Sequence, residues 1–254
     1  MARLVLQGVA MGGFLLLGRL FPRVASQPLL RRDMLHNLLN GLLLFVLVVP
    51  AVRAAQAALP AGGLVSVDAW GPALQGLVSF VLLDLSRYWL HRAAHRVPLL
   101  WRFHRVHHSA ESLDSTVGLR MHAVDFLQLS ALPLLLFGVL FDTRAWHPAV
   151  VPAVMGVGVV FDAFQHANLR WDPAHPLARL WGRAFNNPHF HSWHHTRDGA
   201  AVDGNYGNTL VLWDRLFGSD VTRPVLPAAF GVSGDQALAD GPVSWQLLRP
   251  RRAA

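Results

Sequence analysis

The sequence predicts an all-α fold, a polytopic membrane helix bundle of about four to five crossings with a cytoplasmic, histidine-rich helical cap. Three observations predict it. Of the 254 residues 53% are apolar and only 15% charged, and the mean hydropathy of +0.33 is high for a soluble enzyme. The apolar residues fall in runs long enough for membrane helices. Asp84 to His108 then holds five histidines at helical spacings. Residues 1–33 form a first membrane helix and a basic cytoplasmic loop, 34–222 a membrane catalytic unit, and 223–254 a surface tail.

The first run is Leu4 to Phe21. A signal peptide cut near Ala25-Ser26 is the rival reading, and Arg19 and Arg23 argue against it because a cleavage region is uncharged. The second run, Met34 to Leu59, contains Pro50, tolerable near a helix end or as a kink. Its lone His36 reads as an interfacial side chain. A Gly/Pro loop from Pro60 to Pro72 leads to the third run, Ala73 to Leu90, where Tyr88 and Trp89 read as an interfacial aromatic belt. After polar Glu111 to His122, the runs Ala123 to Phe141 and Ala145 to Phe164 form a hairpin, with His147 in its turn on the side away from the histidine stretch. From Asn168 the chain is polar and rich in Pro, Gly and Trp.

Arginine placement gives the orientation. Arg19, Arg23, Arg31 and Arg32 precede run two, and Arg87, Arg92, Arg96, Arg102 and Arg105 lie at or after the end of run three. Only Arg53 and Arg144 mark the other two connections. The positive-inside rule puts the first two groups in the cytoplasm, and the parity of five crossings puts every histidine box there too. The net charge of +7 comes from arginines between apolar runs, which favours anionic lipid over nucleic acid. There is no cysteine, so thiolate zinc sites, iron–sulfur clusters, disulfides and a cysteine nucleophile are excluded.

His91 and His95 are four apart, and His104, His107 and His108 form His-x-x-His-His. A second His-x-x-His-His stands at His191, His194 and His195. Positions i, i+3 and i+4 share a helix face, so each box can aim its imidazoles at one point. Neutral imidazole ligates iron, zinc and copper. The alternative, surface or core histidines, does not account for two such boxes plus His91 and His95.

These residues resemble the fatty acid hydroxylase/sterol desaturase superfamily of integral membrane non-haem iron enzymes. The matching pieces are Asp84-x3-Tyr88-Trp89-x-His91-x3-His95 and His104-x2-His107-His108, then Arg120-x-His122 with Asp125. They continue with His166 and Asn168, His191-x2-His194-His195, Asn205-Tyr206-Gly207 and Trp213-Asp214-Arg215-Leu216-Phe217-Gly218. The resemblance covers about residues 30–220, and the order and spacing of the boxes make it specific. It implies a centre of two iron ions, replaceable by zinc, at the cytoplasmic surface of a bacterial inner membrane. It also implies O2-dependent hydroxylation or desaturation of an acyl, sterol or isoprenoid C–H bond. His91, His95, His104, His107, His108, His166, His191, His194 and His195 are the expected ligands. His122 is either a ligand or the partner of Asp125. Asp84, Asp114, Asp162 and Asp203 are candidates to accept the outer ring N–H of a ligating histidine, a bond that fixes tautomer and orientation. Asp84 and Asp162 alternatively read as snorkelling or capping acids.

The extra histidines His175 and His189 have no assigned role. No cytochrome b5-like domain is fused, so a separate ferredoxin or cytochrome b5-type donor with its reductase is expected, alongside a lipid drawn from the bilayer. Two rival classes are a membrane metal-binding or transport protein and a zinc-dependent lipid hydrolase. Transport needs ionisable residues across the bilayer, whereas here they gather on one face. Hydrolysis needs a motif such as His-Glu-x-x-His, which is absent.

Overall fold

The computed structural model describes residues 2–25, 32–58, 62–142, 145–197, 203–232 and 241–247. Ser26, Arg31, Arg144 and the basic end 249–252 lie outside the described residues. Among the described residues there are helices and isolated β-bridges but no strand. The long helices are α1 (Ala2–Leu20), α2 (Arg32–Ala57) and α3 (Pro72–Arg96). α4 (Pro98–His108) follows α3 across a sharp elbow. Pro98 opens α4, where its missing N–H costs nothing, and it holds Val97 in an extended conformation.

α5 (Ala123–Phe126) passes through a π-turn, Leu127–Ala131, into α6 (Leu132–Leu140). Pro133 has no N–H and crowds the carbonyl four residues back, so the ladder widens there. α7 is Val150–His166. It starts later than the apolar run because the backbone N–H of His147 bonds Gln75 Oε1 (2.8 Å), which holds the preceding turn against α3. The short helices α8 (Pro176–Trp181), α9 (Pro188–His194), α10 (Leu212–Leu216) and α11 (Pro242–Leu247) complete the fold.

α2 carries a window of mean hydropathy 2.1 of which only 11% is buried, so it is apolar and uncovered at once. Ala123–Leu140 has mean hydropathy 1.9 and is 33% buried. Core helices of soluble proteins are covered; apolar surface of this extent fits a bilayer. These two are the described helices long and apolar enough to cross, and α1 and α7 are shorter apolar helices. α3 contains Asp84 and Arg87 and falls outside that set.

Backbone bonds define two ends of the bundle. At one end Val65 N–H bonds Leu140 O (2.9 Å). Trp70, Phe137, Phe141 and Trp146 pack there as one aromatic cluster. At the other end Arg23 N–H bonds Asn168 O (3.0 Å) and Arg170 N–H bonds Phe21 O (2.8 Å). α3 spans the two ends, a length of about 37 Å at the helical rise. All histidine boxes lie at the second end, and His147 at the first.

Two expectations change. Tyr88 is not in an interfacial belt: it is fully buried, with its hydroxyl 2.8 Å from Ser219 Oγ, while Trp89 remains 46% exposed. The C-terminal stretch is no surface tail over 241–247. Trp245 is fully buried beneath the Arg120 guanidinium (4.1 Å), and Gln246 bonds Asn40 Oδ1, Met121 O and Ala123 N–H.

Candidate metal centre

The elbow at Val97 folds α4 back on the end of α3, and α9 meets both from across the bundle. Nine histidines converge as two groups: His91, His95, His104, His108 and His194, then His107, His166, His191 and His195. The groups abut, since the rings of His108 and His195 stack at 4.5 Å.

The boxes do not each serve one point. Each is divided between the groups. On an α-helix residues i and i+4 differ by about 40° in direction, while i+3 and i+4 differ by about 100°. His104 and His108 therefore turn to the first group and His107 to the second. His191 and His195 turn to the second group and His194 to the first. The result is a crossed arrangement in which α4 and α9 each contribute to both groups.

The outer ring nitrogens fix the tautomers. His91 Nδ1–H donates to Tyr206 O (2.8 Å), His194 Nδ1–H to Gly204 O (2.8 Å) and His166 Nδ1–H to Asp162 O (2.7 Å). His104 Nδ1–H donates to both Asp125 carboxylate oxygens (3.0 Å each). Burial, and then neighbouring imidazoles, push His108, His191 and His195 well below the usual imidazole range. Burial takes His194 down to about 3. These rings are neutral, and a neutral ring with its proton on Nδ1 offers only a lone pair at Nε2.

That makes the inner contacts diagnostic. His91 Nε2 faces His104 Nε2 at 3.1 Å, although each ring already donates from its Nδ1 to an outer acceptor. His108 Nε2 also approaches His104 Nε2 at 3.1 Å. In the second group His166 Nε2 lies 2.9 Å from His191 Nε2 and 3.3 Å from His107 Nε2. His95 Nε2 and His194 Nε2 are buried without a hydrogen-bond partner. Nitrogens sharing one ion at about 2.1 Å, with angles of about 90–109°, stand about 3.0–3.4 Å apart. The donors fit a bound cation in each group and fit hydrogen bonding poorly.

The remaining candidates go elsewhere. His122 reaches neither group: its Nδ1 accepts from Val124 N–H (3.0 Å) at the start of α5 and its Nε2–H bonds Gln246 O (2.9 Å). Asp125 therefore pairs with His104, not with His122. Asp84 meets no histidine; it accepts from Thr209 N–H, Leu210 N–H and Trp213 Nε1–H. Asp114 accepts from Thr116 N–H and its hydroxyl. The Asp162 carboxylate stands 3.7 Å from His166 Nδ1, beyond its own carbonyl, and Asp203 lies 3.8 Å from His95 Nδ1. His175 accepts from Leu177 N–H at the start of α8, and His189 bonds Arg223 O (2.7 Å). His36 packs edge-on against Trp245.

In Asn205-Tyr206-Gly207 the left-handed residue is Asn205 (φ 57°), not the glycine. Asparagine tolerates this conformation, and its side chain is tied to Phe190 O, Thr222 Oγ1 and Val221 N–H. Gly207 is needed for close approach: a Cβ there would stand 2.4 Å from Leu210 O.

The fatty acid hydroxylase family model matches residues 76–219, more than half the chain and all nine converging histidines. The chain belongs to the fatty acid hydroxylase family. It is 33% identical to an ornithine lipid hydroxylase, OlsE, of Rhizobium tropici over 186 residues, 72% of this chain and 52% of that one. An alkylglycerol monooxygenase of Xenopus tropicalis is 31% identical over 57% of this chain and 30% of its own length. A fatty acid hydroxylase, vlmA, of a Lecanicillium species is 31% identical over 56% and 40%. The chain thus spans about half or less of the length of these relatives. No solved structure matches it.

Proposed function

We propose that this member of the family is a membrane-bound, O2-dependent oxygenase that hydroxylates a C–H bond of a lipid at a centre of two irons. The observation that carries the reading is the convergence of nine histidines, with ring nitrogens in close contact, at one end of an apolar helical bundle. His91, His95, His104, His108 and His194 would hold one ion and His107, His166, His191 and His195 the other. Iron supplies the redox chemistry that activates O2, which zinc lacks; zinc would fill the same nitrogens as a substitute.

The chain's own residues prepare the site. Asp125 and the carbonyls of Tyr206, Gly204 and Asp162 keep the Nδ1 protons of His104, His91, His194 and His166 outward and their Nε2 atoms inward. Among the nine, all but His91 are buried, which excludes bulk water from the reacting region. The uncovered apolar faces of α2 and α5–α6 deliver an acyl, sterol or isoprenoid chain from the bilayer. The relatives named hydroxylase or monooxygenase favour oxygen insertion over desaturation. Deleting the gene should remove a lipid species bearing one added oxygen and leave its unmodified precursor. A lipid profile in which no oxygenated species disappears would count against the reading.

The arginine asymmetry of the sequence supports five crossings with the histidine end in the cytoplasm of a bacterial cell, at its inner membrane. Reporters fused after Ala110 or at Ala254 should therefore signal cytoplasm, and one at Ala61 the outside. An external signal at Ala254 would rule out that topology.

Two electrons and two protons per O2 must come from outside the centre, from a ferredoxin or cytochrome b5-type protein with its reductase. Purified protein should stay silent with NADPH and O2 until both proteins are added. Turnover with NADPH alone in a pure preparation would contradict this.

A further inference from the structure

The segment from Asp203 to Asp214 supplies no ligand, yet two of its carbonyls hold two ligands of the five-histidine group, Gly204 O for His194 and Tyr206 O for His91. Two buried carboxylates fix it. Asp214 accepts from Tyr206 N–H (2.8 Å) and Ser219 Oγ–H (2.8 Å) on one oxygen, and from Gly207 N–H (2.7 Å) on the other. Asp84, on α3, accepts from Thr209 N–H (3.1 Å), Leu210 N–H (3.1 Å) and Trp213 Nε1–H (2.9 Å). A relay backs Asp214: Arg92 Nη1–H donates to Tyr88 OH (2.9 Å), which donates to Ser219 Oγ (2.8 Å). Among the described residues, no hydrogen bond from this segment reaches a ring nitrogen of the four-histidine group. In that group His166 bonds Asp162 O, within its own helix.

We propose that Asp214 and Asp84 are positioning residues that set the metal affinity of the five-histidine group alone, by fixing the loop whose carbonyls orient His91 and His194. The proposal rests on the metal-centre reading above. Replacing either carboxylate by an amide leaves at least one backbone or indole N–H facing a donor instead of an acceptor. Tyr206 O and Gly204 O then shift relative to the imidazoles. Outer-layer substitutions of this kind cost about 10–100-fold in metal affinity.

The test is a Co2+ titration of metal-free, full-length protein in detergent, followed by the cobalt absorbance and by competition with a chelator. No substrate or electron donor is needed, so failure of the hydroxylase reading cannot be mistaken for failure here. Wild type should take up two ions. Asp214→Asn should weaken one by about 10–100-fold and leave the other within about twofold, with Asp84→Asn acting in the same direction. The exposed Asp172→Asn should change neither.

Backgrounds with a single intact group identify the affected one. Asp214→Asn should weaken the ion that remains in His166→Ala and spare the ion that remains in His194→Ala. Equal weakening of both ions, or no weakening of either, overturns the proposal. If Asp214→Asn does not fold, Asp84→Asn decides by the same criteria. A wild-type chain that binds no Co2+ overturns the metal-centre reading and this proposal together.

Discussion

His194→Ala and His107→Ala should each abolish turnover, a loss exceeding about 100-fold, and each should lower the metal content of a different group. The crossed boxes give this result its specificity. His194 stands on α9 between His191 and His195 but belongs with the ligands of α3 and α4. Its removal strips the five-histidine group and leaves both α9 neighbours in place. His107 is the reciprocal case on α4, between His104 and His108. His36→Ala, His122→Ala and His147→Ala should leave metal content nearly intact, because none of the three joins either group. Metal analysis of all five variants, after checking membrane insertion, measures this. Full metal and activity in His194→Ala, with loss in His147→Ala, would reject the assignment.

The second large effect is expected at Asp125. Its carboxylate is fully buried and takes the His104 Nδ1 proton on both oxygens. His104 in turn lies nearest the centre of its group, with Nε2 of both His91 and His108 at 3.1 Å. Asp125→Asn keeps one acceptor but loses the charge that strengthens the bond, so metal affinity should fall by about tenfold. Asp125→Ala leaves the buried N–H without any acceptor and frees the ring to turn, so the loss should approach about 100-fold. Competition with a graded series of chelators would rank the two. An alanine variant with wild-type affinity would show that the carboxylate does not orient His104.

The converging histidines were legible because helical spacing announces which side chains share a face. The division of each box was within reach as well, since adjacent helix positions diverge by about 100°. The partners of those histidines were not legible. Asp125 lies three residues from His122 in sequence, yet the packing of α5 on α4 brings it to His104. Backbone carbonyls leave no mark in a sequence, so the roles of Gly204 and Tyr206 emerge only when the loop is folded. Asp84 reads as a membrane-edge acid until the chain more than a hundred residues on returns to it. The helix containing Trp245 is six residues long, too short for an apolar period to appear. Apolar runs give the helices of the bundle, but α3 carries enough polar residues to blur its own, including the Gln75 that ties both far-end loops together.

Four outer bonds of the converging imidazoles are those of His91, His194 and His166 to main-chain oxygens and that of His104 to a side chain. Heritable change rewrites side chains and leaves carbonyls in place. At His91, His166 and His194 the orienting acceptor therefore cannot be deleted by any single codon change, and drift at Tyr206 or Asp162 alters what hangs from the backbone without removing the oxygen that the histidine uses. Of these four, His104 alone depends on an acceptor that a point mutation can erase. Damage to these four bonds should therefore enter by loss of Asp125 or by deformation of the chain that carries the carbonyls, and much of the sequence around those carbonyls could vary while the four tautomers stay the same.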